Sequence, residues 1–194
     1  MIKAGFICEG GSDFILFQSE SFNELLRQLN IICVNVIDAE GCGNLLPHNI
    51  GGYIQSLENK GAEKIVIITD LDYGECITLT KQKINARPQD FVIVAVKEIE
   101  SWFISDTTTM RKMLQKQNFN FDFPENELEP FNTINALLVQ YTGRGIGRNS
   151  RGAKKKLAKR MLDFGFDFRR SSSHPNCPSA KYFIDKLKHI GNNN

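Results

Sequence analysis

Short apolar runs alternate with helical periodicities along the first hundred residues. Ile2–Cys8 is mostly apolar and stops at Glu9-Gly10-Gly11. Phe14, Phe17, Phe22, Leu25, Leu26 and Leu29 recur at helical spacing, which predicts a helix over 13–29 with Ser12 as its cap. A second apolar run, rich in β-branched residues, covers 31–37 and ends before Gly41 and Gly43. A weaker helical pattern spans 45–59. The cleanest strand is 64–69, which stops at Asp70-Leu71-Asp72. A helix is predicted over 77–86, closed by Pro88, and a fourth strand over 91–96 leads into Lys97-Glu98-Ile99-Glu100-Ser101-Trp102. One more helix is expected over 101–117.

Strand and helix in repeated alternation imply parallel strands joined by helical crossovers. The expected fold class is therefore α/β, Rossmann-like, with a parallel sheet of about four strands flanked by helices. Strands this apolar are expected to be buried on both faces. The remainder reads as a basic helical C-terminal extension on the same core: an excursion over 118–132, a flexible basic loop over 143–152, a helix over 154–164 and a last helix over 180–190. The expected division is 1–117 for the α/β part and 118–194 for the extension. The GNNN terminus is expected to fray.

Composition narrows the class. The 194 residues are 41% apolar and 24% charged, which suits a folded chain with a real core. No apolar run is long enough to span a bilayer. The N-terminal apolar stretch is too short for a secretory signal and lacks a small-residue cleavage site, so a cytoplasmic protein is expected. Five cysteines without a C-x-x-C pair, and three histidines without ligand spacing, disfavour a disulfide framework or a zinc site.

The net charge of +2 hides an asymmetry. From Gly143 onward there are 13 Lys and Arg against three Asp, a net +10, whereas the first 142 residues carry 11 basic and 19 acidic side chains, a net −8. An acidic body with a basic tail suits a phosphate-rich partner. Arg144, Arg148, Arg151, Lys155, Lys156, Lys159 and Arg160 are the candidate nucleic-acid contacts. Neutralising phosphates this way is independent of base sequence. Tyr141, Phe166 and Phe168 are candidates for base stacking, with core packing the better account of the phenylalanines.

The polar ends of three predicted strands are acidic: Glu9, Asp70 with Asp72, and Glu98 with Glu100. Ligands of open parallel sheets sit beyond the carboxyl ends of the strands. Carboxylates are hard oxygen ligands of the kind magnesium selects, together with waters and phosphate oxygens. Residues two apart in an extended segment point the same way, so each acidic pair is expected to share a side. Glycines after Glu9 allow close approach of backbone to a phosphate.

The order of Glu9-Gly10 in FICEGGSD and Asp70/Asp72 in IVIITDLDYGE resembles the TOPRIM domain of topoisomerases, DnaG-type primases and OLD-family nucleases. VAVKEIESWFISD, with KKKLAKRMLDF and SSHPNCPSAKYFIDKL, is similar to a family of uncharacterised bacterial TOPRIM-related proteins found near ATPases in defence-like gene sets. The resemblance implies a Mg²⁺ (or Mn²⁺) site for phosphoryl transfer. Glu9, Asp70 and Asp72 would be metal ligands, or Glu9 a general acid/base, and Glu98 and Glu100 would hold a second metal. It implies a nuclease of phage defence or DNA repair, with an ATPase partner and oligomerisation as options. Tyr73, Tyr141 and Tyr182 match no topoisomerase nucleophile. The alternative is a catalytically inactive module of the same fold that binds nucleic acid or regulates a partner. A receiver-like domain fits less well, because its paired acids would follow the first strand. CEGGSD also lacks the G-x-G-x-x-G spacing of a dinucleotide site.

Overall fold

The structure, a computed structural model, describes residues 1–72, 74 and 76–192. Tyr73 and the last two residues of the GNNN terminus lie outside the described residues. The chain is α/β, with four parallel strands, β1 (Ile2–Cys8), β2 (Ile31–Asp38), β3 (Lys64–Asp70) and β4 (Phe91–Ala95), in the order β2-β1-β3-β4. Helices flank the sheet on both faces, consistent with a Rossmann-like fold. The sequence order reverses between β1 and β3, so the crevice at their carboxyl ends is the topological switch point.

The period-two alternation of the strands separates two cores. Ala4, Phe6 and Cys8 of β1, Val66 and Ile68 of β3, and Ile93 and Ala95 of β4 face the larger core. Ile7, Ile65 and Ile67 face the smaller one, beneath α3 (Gly51–Asn59) and α4 (Ile77–Ile84). Gly5 lies on that second face, where a Cβ would come within 3.0 Å of the Leu57 side chain; α3 can sit this close only because β1 has no side chain there.

All remaining helices contribute to the larger core: α1 (Gly11–Phe17), α2 (Glu20–Gln28), α5 (Glu100–Ser105), α6 (Thr107–Leu114), α7 (Pro130–Thr142), α8 (Arg151–Asp163), α9 (Phe168–Ser172) and α10 (Pro178–Asn192). At its centre Phe6, Phe17, Phe22, Trp102, Phe168 and Phe183 form an aromatic cluster, with Trp102 stacked on Phe183 at 5.3 Å and Phe17 on Phe168 at 5.4 Å. Residues from the first strand and the last helix thus share one core. Phe166 and Phe168 are buried in it and present no ring to a base, whereas Tyr141 is exposed on α7. Among the described residues, no helix is long and apolar enough to cross a membrane.

Two predicted helices are each broken in two. The helix expected over 13–29 becomes α1 and α2. Ser19 Oγ accepts from Phe22 N–H to cap α2 while donating to Leu16 C=O, so its side chain satisfies both helix ends. Gly10, not Ser12, stands at the N-cap of α1. The helix expected over 101–117 breaks at Asp106, which caps α6 through Thr109 N–H and accepts both Nε and Nη2 of Arg170. The helix expected over 45–59 begins only at Gly51, as α3, after a short 3-10 turn (Cys42–Leu45). The helices α7 and α9 had no counterpart in the sequence reading, although Phe131, Ile134 and Leu138 of α7 lie buried at helical spacing; α9 is only five residues long, too short for a period to show.

Candidate functional site

Pairing between β3 and β4 continues past the strand ends and positions the acidic residues. Leu71 N–H donates to Ala95 C=O at 2.8 Å and Asp72 N–H to Lys97 C=O at 2.7 Å. Asp72 (φ +47°) and Lys97 (φ +63°) are both left-handed, so each segment turns sharply where extended geometry was expected. Glu100 consequently opens α5 instead of continuing a strand. Glu98 and Glu100 nevertheless reach the same group, Lys154 Nζ, at 2.7 and 3.8 Å.

Glu9 is held across the switch point. Its Oε2 accepts from Thr69 Oγ1 at 2.6 Å and from Asp70 N–H at 3.1 Å. Asp70 Oδ1 in turn accepts from Ile99 N–H at 2.9 Å, which ties the end of β3 to the Glu98–Glu100 segment. Glu9 and Asp70 line one cavity of about 280 Å³ with Asp13, Asp38 and, on the opposite wall, Ser150, Arg151, Lys154 and Lys155. Asp72 is exposed and lines a separate cavity of about 40 Å³ with Lys97, Glu98 and Glu129. Among the described residues, no three Asp, Glu, His or Cys side chains stand in position to hold a metal ion.

The electrostatics of this cleft are those of crowded buried acids. Burial pushes the Asp13 carboxyl up to about 8, with Glu100 and then Glu9 adding to the rise. Burial also raises Asp70 well above the carboxylate range, reinforced by Asp13, Glu100 and Glu9. Glu100 rises to about 7 through burial, partly offset by Lys154. Glu9 is raised by burial against the lowering effect of its Thr69 and Asp70 hydrogen bonds. Asp72 is raised by its partial burial and by Glu98. Glu98 Oε2 and both Glu100 carboxylate oxygens are buried without a hydrogen-bond partner. Lys154 supplies their counter-charge, at 2.7 Å from Glu98 Oε1 and 3.8 Å from Glu100 Oε2, since buried carboxylates without a compensating cation are costly.

The basic residues form the opposite wall. Arg151 and Lys155 line the larger cavity, and the Lys155 side chain lies across Gly11, where a Cβ would overlap it. Lys156 and Lys159 are exposed on α8, and Arg160 is half-buried with its guanidinium 5.8 Å from the Phe164 ring. Arg144 and Arg148 are exposed on the loop before α8. Asn135 Oδ1 pins that loop to α7 by accepting from Ile146 N–H at 2.6 Å and Gly147 N–H at 3.2 Å.

Two residues of the site were missed by sequence reasoning. Asp13 is 3% exposed and sits one helical turn after Glu9, on the α1 face of Leu16 and Phe17. Lys154 lies on the face of α8 that buries Leu157, Ala158 and Met161. In both cases the available signal was a charged residue at i−3 or i−4 from buried apolar positions.

Trp102 belongs to the scaffold behind the cleft. Its Nε1–H donates to Ser179 Oγ at 2.7 Å, Ser179 Oγ–H donates to the buried Glu125 Oε1 at 2.5 Å, and Val96 N–H also reaches Ser179 Oγ at 3.3 Å. This relay fastens the end of β4 to α10. Comparison of the chain with protein-family models, with curated proteins and with solved structures finds no match.

Proposed function

We propose that the protein is a divalent-cation-dependent nuclease of TOPRIM type that hydrolyses nucleic-acid phosphodiester bonds. The observation that carries this reading is the cavity that Glu9, Asp13 and Asp70 share with Arg151, Lys154 and Lys155 at the switch point of the sheet, with Glu98 and Glu100 reaching Lys154 from beyond the end of β4. Glu9, Asp13 and Asp70, which share the cavity, would have to draw closer together to hold Mg²⁺ or Mn²⁺, since no three acids stand in position for it among the described residues. A bound divalent cation lowers the pKa of a coordinated water and offsets charge on phosphoryl oxygens. Glu9, with its raised proton affinity and its fixed orientation on Thr69, suits the role of accepting the proton of an attacking water. Arg151 and Lys155 would orient the phosphate across the cavity. Arg144, Arg148, Lys156, Lys159 and Arg160 would track the backbone further along. A role in phage defence or DNA repair, with an ATPase as partner, goes with this reading.

The experiment is direct. Purified protein is incubated with Mg²⁺ or Mn²⁺ and single- or double-stranded DNA or RNA. Cleavage by the wild type, and its loss in Glu9→Gln with an unchanged circular-dichroism spectrum, supports the reading. A wild type inert on all four substrates ends it.

A second reading, a binding module without catalysis, is favoured by one observation: Lys154 already neutralises part of the acidic cluster from within the chain. Its mark would be nucleic-acid retention on a filter that is insensitive to chelator.

A further inference from the structure

We propose that the outer face of α7 is a self-association surface, on which a second copy of this chain lays its own α7 antiparallel about a two-fold axis. The inference does not depend on what the cleft does.

Alone among the α-helices of the described residues, α7 carries no charged side chain. Its inner face buries Phe131, Ile134 and Leu138. A helix buried on one side ordinarily presents charged residues on the other. Here the outer face presents Asn132, Ala136, Val139 and Gln140, all exposed, Val139 by 51%. Asn132, Ala136, Val139 and Gly143 follow one another at spacings of four, three and four residues, the repeat by which two helices pair along a seam. Asn132, Thr133 and Ala136 line an open groove of about 630 Å³ with Glu127, Leu128 and Glu129. Depletion of charge at the centre, with charge kept to the rim, is the composition of an interface.

The rim charges select the occupant. Glu127 and Glu129 precede the helix, and Arg144 and Arg148 follow it. Among the described residues none of these four is in an ion pair. The basic loop is held beside the seam: Asn135 Oδ1 accepts from Ile146 and Gly147 N–H, and a Cβ at Gly145 would lie 3.0 Å from the Val139 side chain. A face acidic at one end and basic at the other complements a copy of itself when the two run antiparallel; a parallel copy would set acid against acid. With the axis midway between Ala136 and Val139, Ala136 of each copy meets Val139 of the other and Asn132 meets Gly143, so a small residue opposes a larger one in each layer. At about 1.5 Å of rise per residue, Arg144 of each copy then stands about 3 Å along the axis from the level of Glu129 of the other. That pairing takes Arg144 into the interface and leaves Arg148 and α8 to the nucleic acid. Leu128 and Glu129 also line the cavity at Asp72 and Glu98, so the interface adjoins the acidic end of each cleft.

Sedimentation velocity of the intact chain over a concentration series reads the association. The wild type is expected to run as a dimer in equilibrium with monomer. Val139→Glu, at an exposed position, is expected to be monomeric where the wild type is mostly dimeric, with an unchanged circular-dichroism melt. Glu129→Arg and Arg144→Glu are each expected to weaken association roughly tenfold, since each reversal is felt twice across a two-fold axis, and the double variant to regain most of the loss. A wild type that stays monomeric at every attainable concentration overturns the proposal and leaves the face to a different protein. A folded Val139→Glu that still dimerises, single reversals without effect, or a double variant no tighter than the singles would each overturn it as well.

Discussion

Glu9 Oε2 accepts the backbone N–H of Asp70, so the last polar groups of two adjacent parallel strands are bonded to each other across the switch point. The Thr69 hydroxyl bonds the same oxygen. Positions 69 and 70 and, through Ile99, the start of α5 thereby share one hydrogen-bonded frame. The acids are held close together against their own repulsion.

That repulsion predicts the behaviour of Asp70→Asn. The amide oxygen can still accept from Ile99 N–H, while the cost of ionising one buried carboxyl beside other acids is removed. Without divalent ions the variant should unfold a few degrees higher than the wild type, since about 1 kcal/mol is worth roughly 2–4 °C for a chain of this size. It should also lose the Mg²⁺-dependent rise in melting temperature and any cleavage. Differential scanning calorimetry with and without Mg²⁺ reads the first two directly; a variant less stable than the wild type in chelator contradicts the account.

The pH dependence follows from Asp13 and Glu100. Both carboxyls hold their protons more tightly when folded, to about 8 and about 7, than an unfolded chain would. The folded state therefore binds more protons than the unfolded state from about pH 4 to 8, and stability falls as pH rises through that window. Mg²⁺ should flatten the decline by compensating the ionised forms. Melting curves from pH 4 to 9, in chelator and in Mg²⁺, test this; curves that rise toward neutral pH in chelator count against it.

Asp106 and Arg170 make a buried bidentate pair, at 2.8 Å on both oxygens, joining the start of α6 to α9. Thr109 and the Asp167 N–H complete the carboxylate's hydrogen bonds. Removing one partner of a buried pair typically costs about 3–5 kcal/mol, and the partial exposure of Arg170 points to the lower end. Asp106→Ala is expected to lower stability by about 3 kcal/mol in urea unfolding. A loss below about 1 kcal/mol would mark the pair as a surface-like contact.

Gly191 and Gly152 give opposite expectations. A Cβ at Gly191 would overlap the Leu29 carbonyl, a backbone atom that cannot swing away, so Gly191→Ala should destabilise by about 1–3 kcal/mol. At Gly152, in the first turn of α8, nothing lies within 4 Å, and Gly152→Ala should stabilise by about 0.5–1 kcal/mol through reduced unfolded-state freedom. Paired denaturation curves distinguish the two.

If the basic wall tracks phosphates, Lys156→Ala and Lys159→Ala should each weaken binding of an oligonucleotide without regard to its sequence. Each should also reduce the slope of log affinity against log salt by roughly 1. Fluorescence anisotropy over a salt series measures this, and an unchanged slope excludes those lysines from the interface.

The alternation of Ala4, Phe6 and Cys8 with Gly5 and Ile7 was enough to read a strand buried on both faces, and strand–helix alternation was enough for a parallel sheet. The acidic strand ends were also legible, because charged residues directly after an apolar strand stand out in the linear pattern. Tertiary structure alone decided where helices break. Ser19 and Asp106 interrupt otherwise continuous periodicities because their side chains find caps and, for Asp106, a guanidinium 64 residues away. It also decided the composition of the cleft. Lys154 reads as one lysine in a basic run, and only the packing of α8 against α1 turns its buried stripe toward Glu98 and Glu100. Local pattern reports which residues leave water; which charges meet there depends on the crossing of elements far apart in the chain.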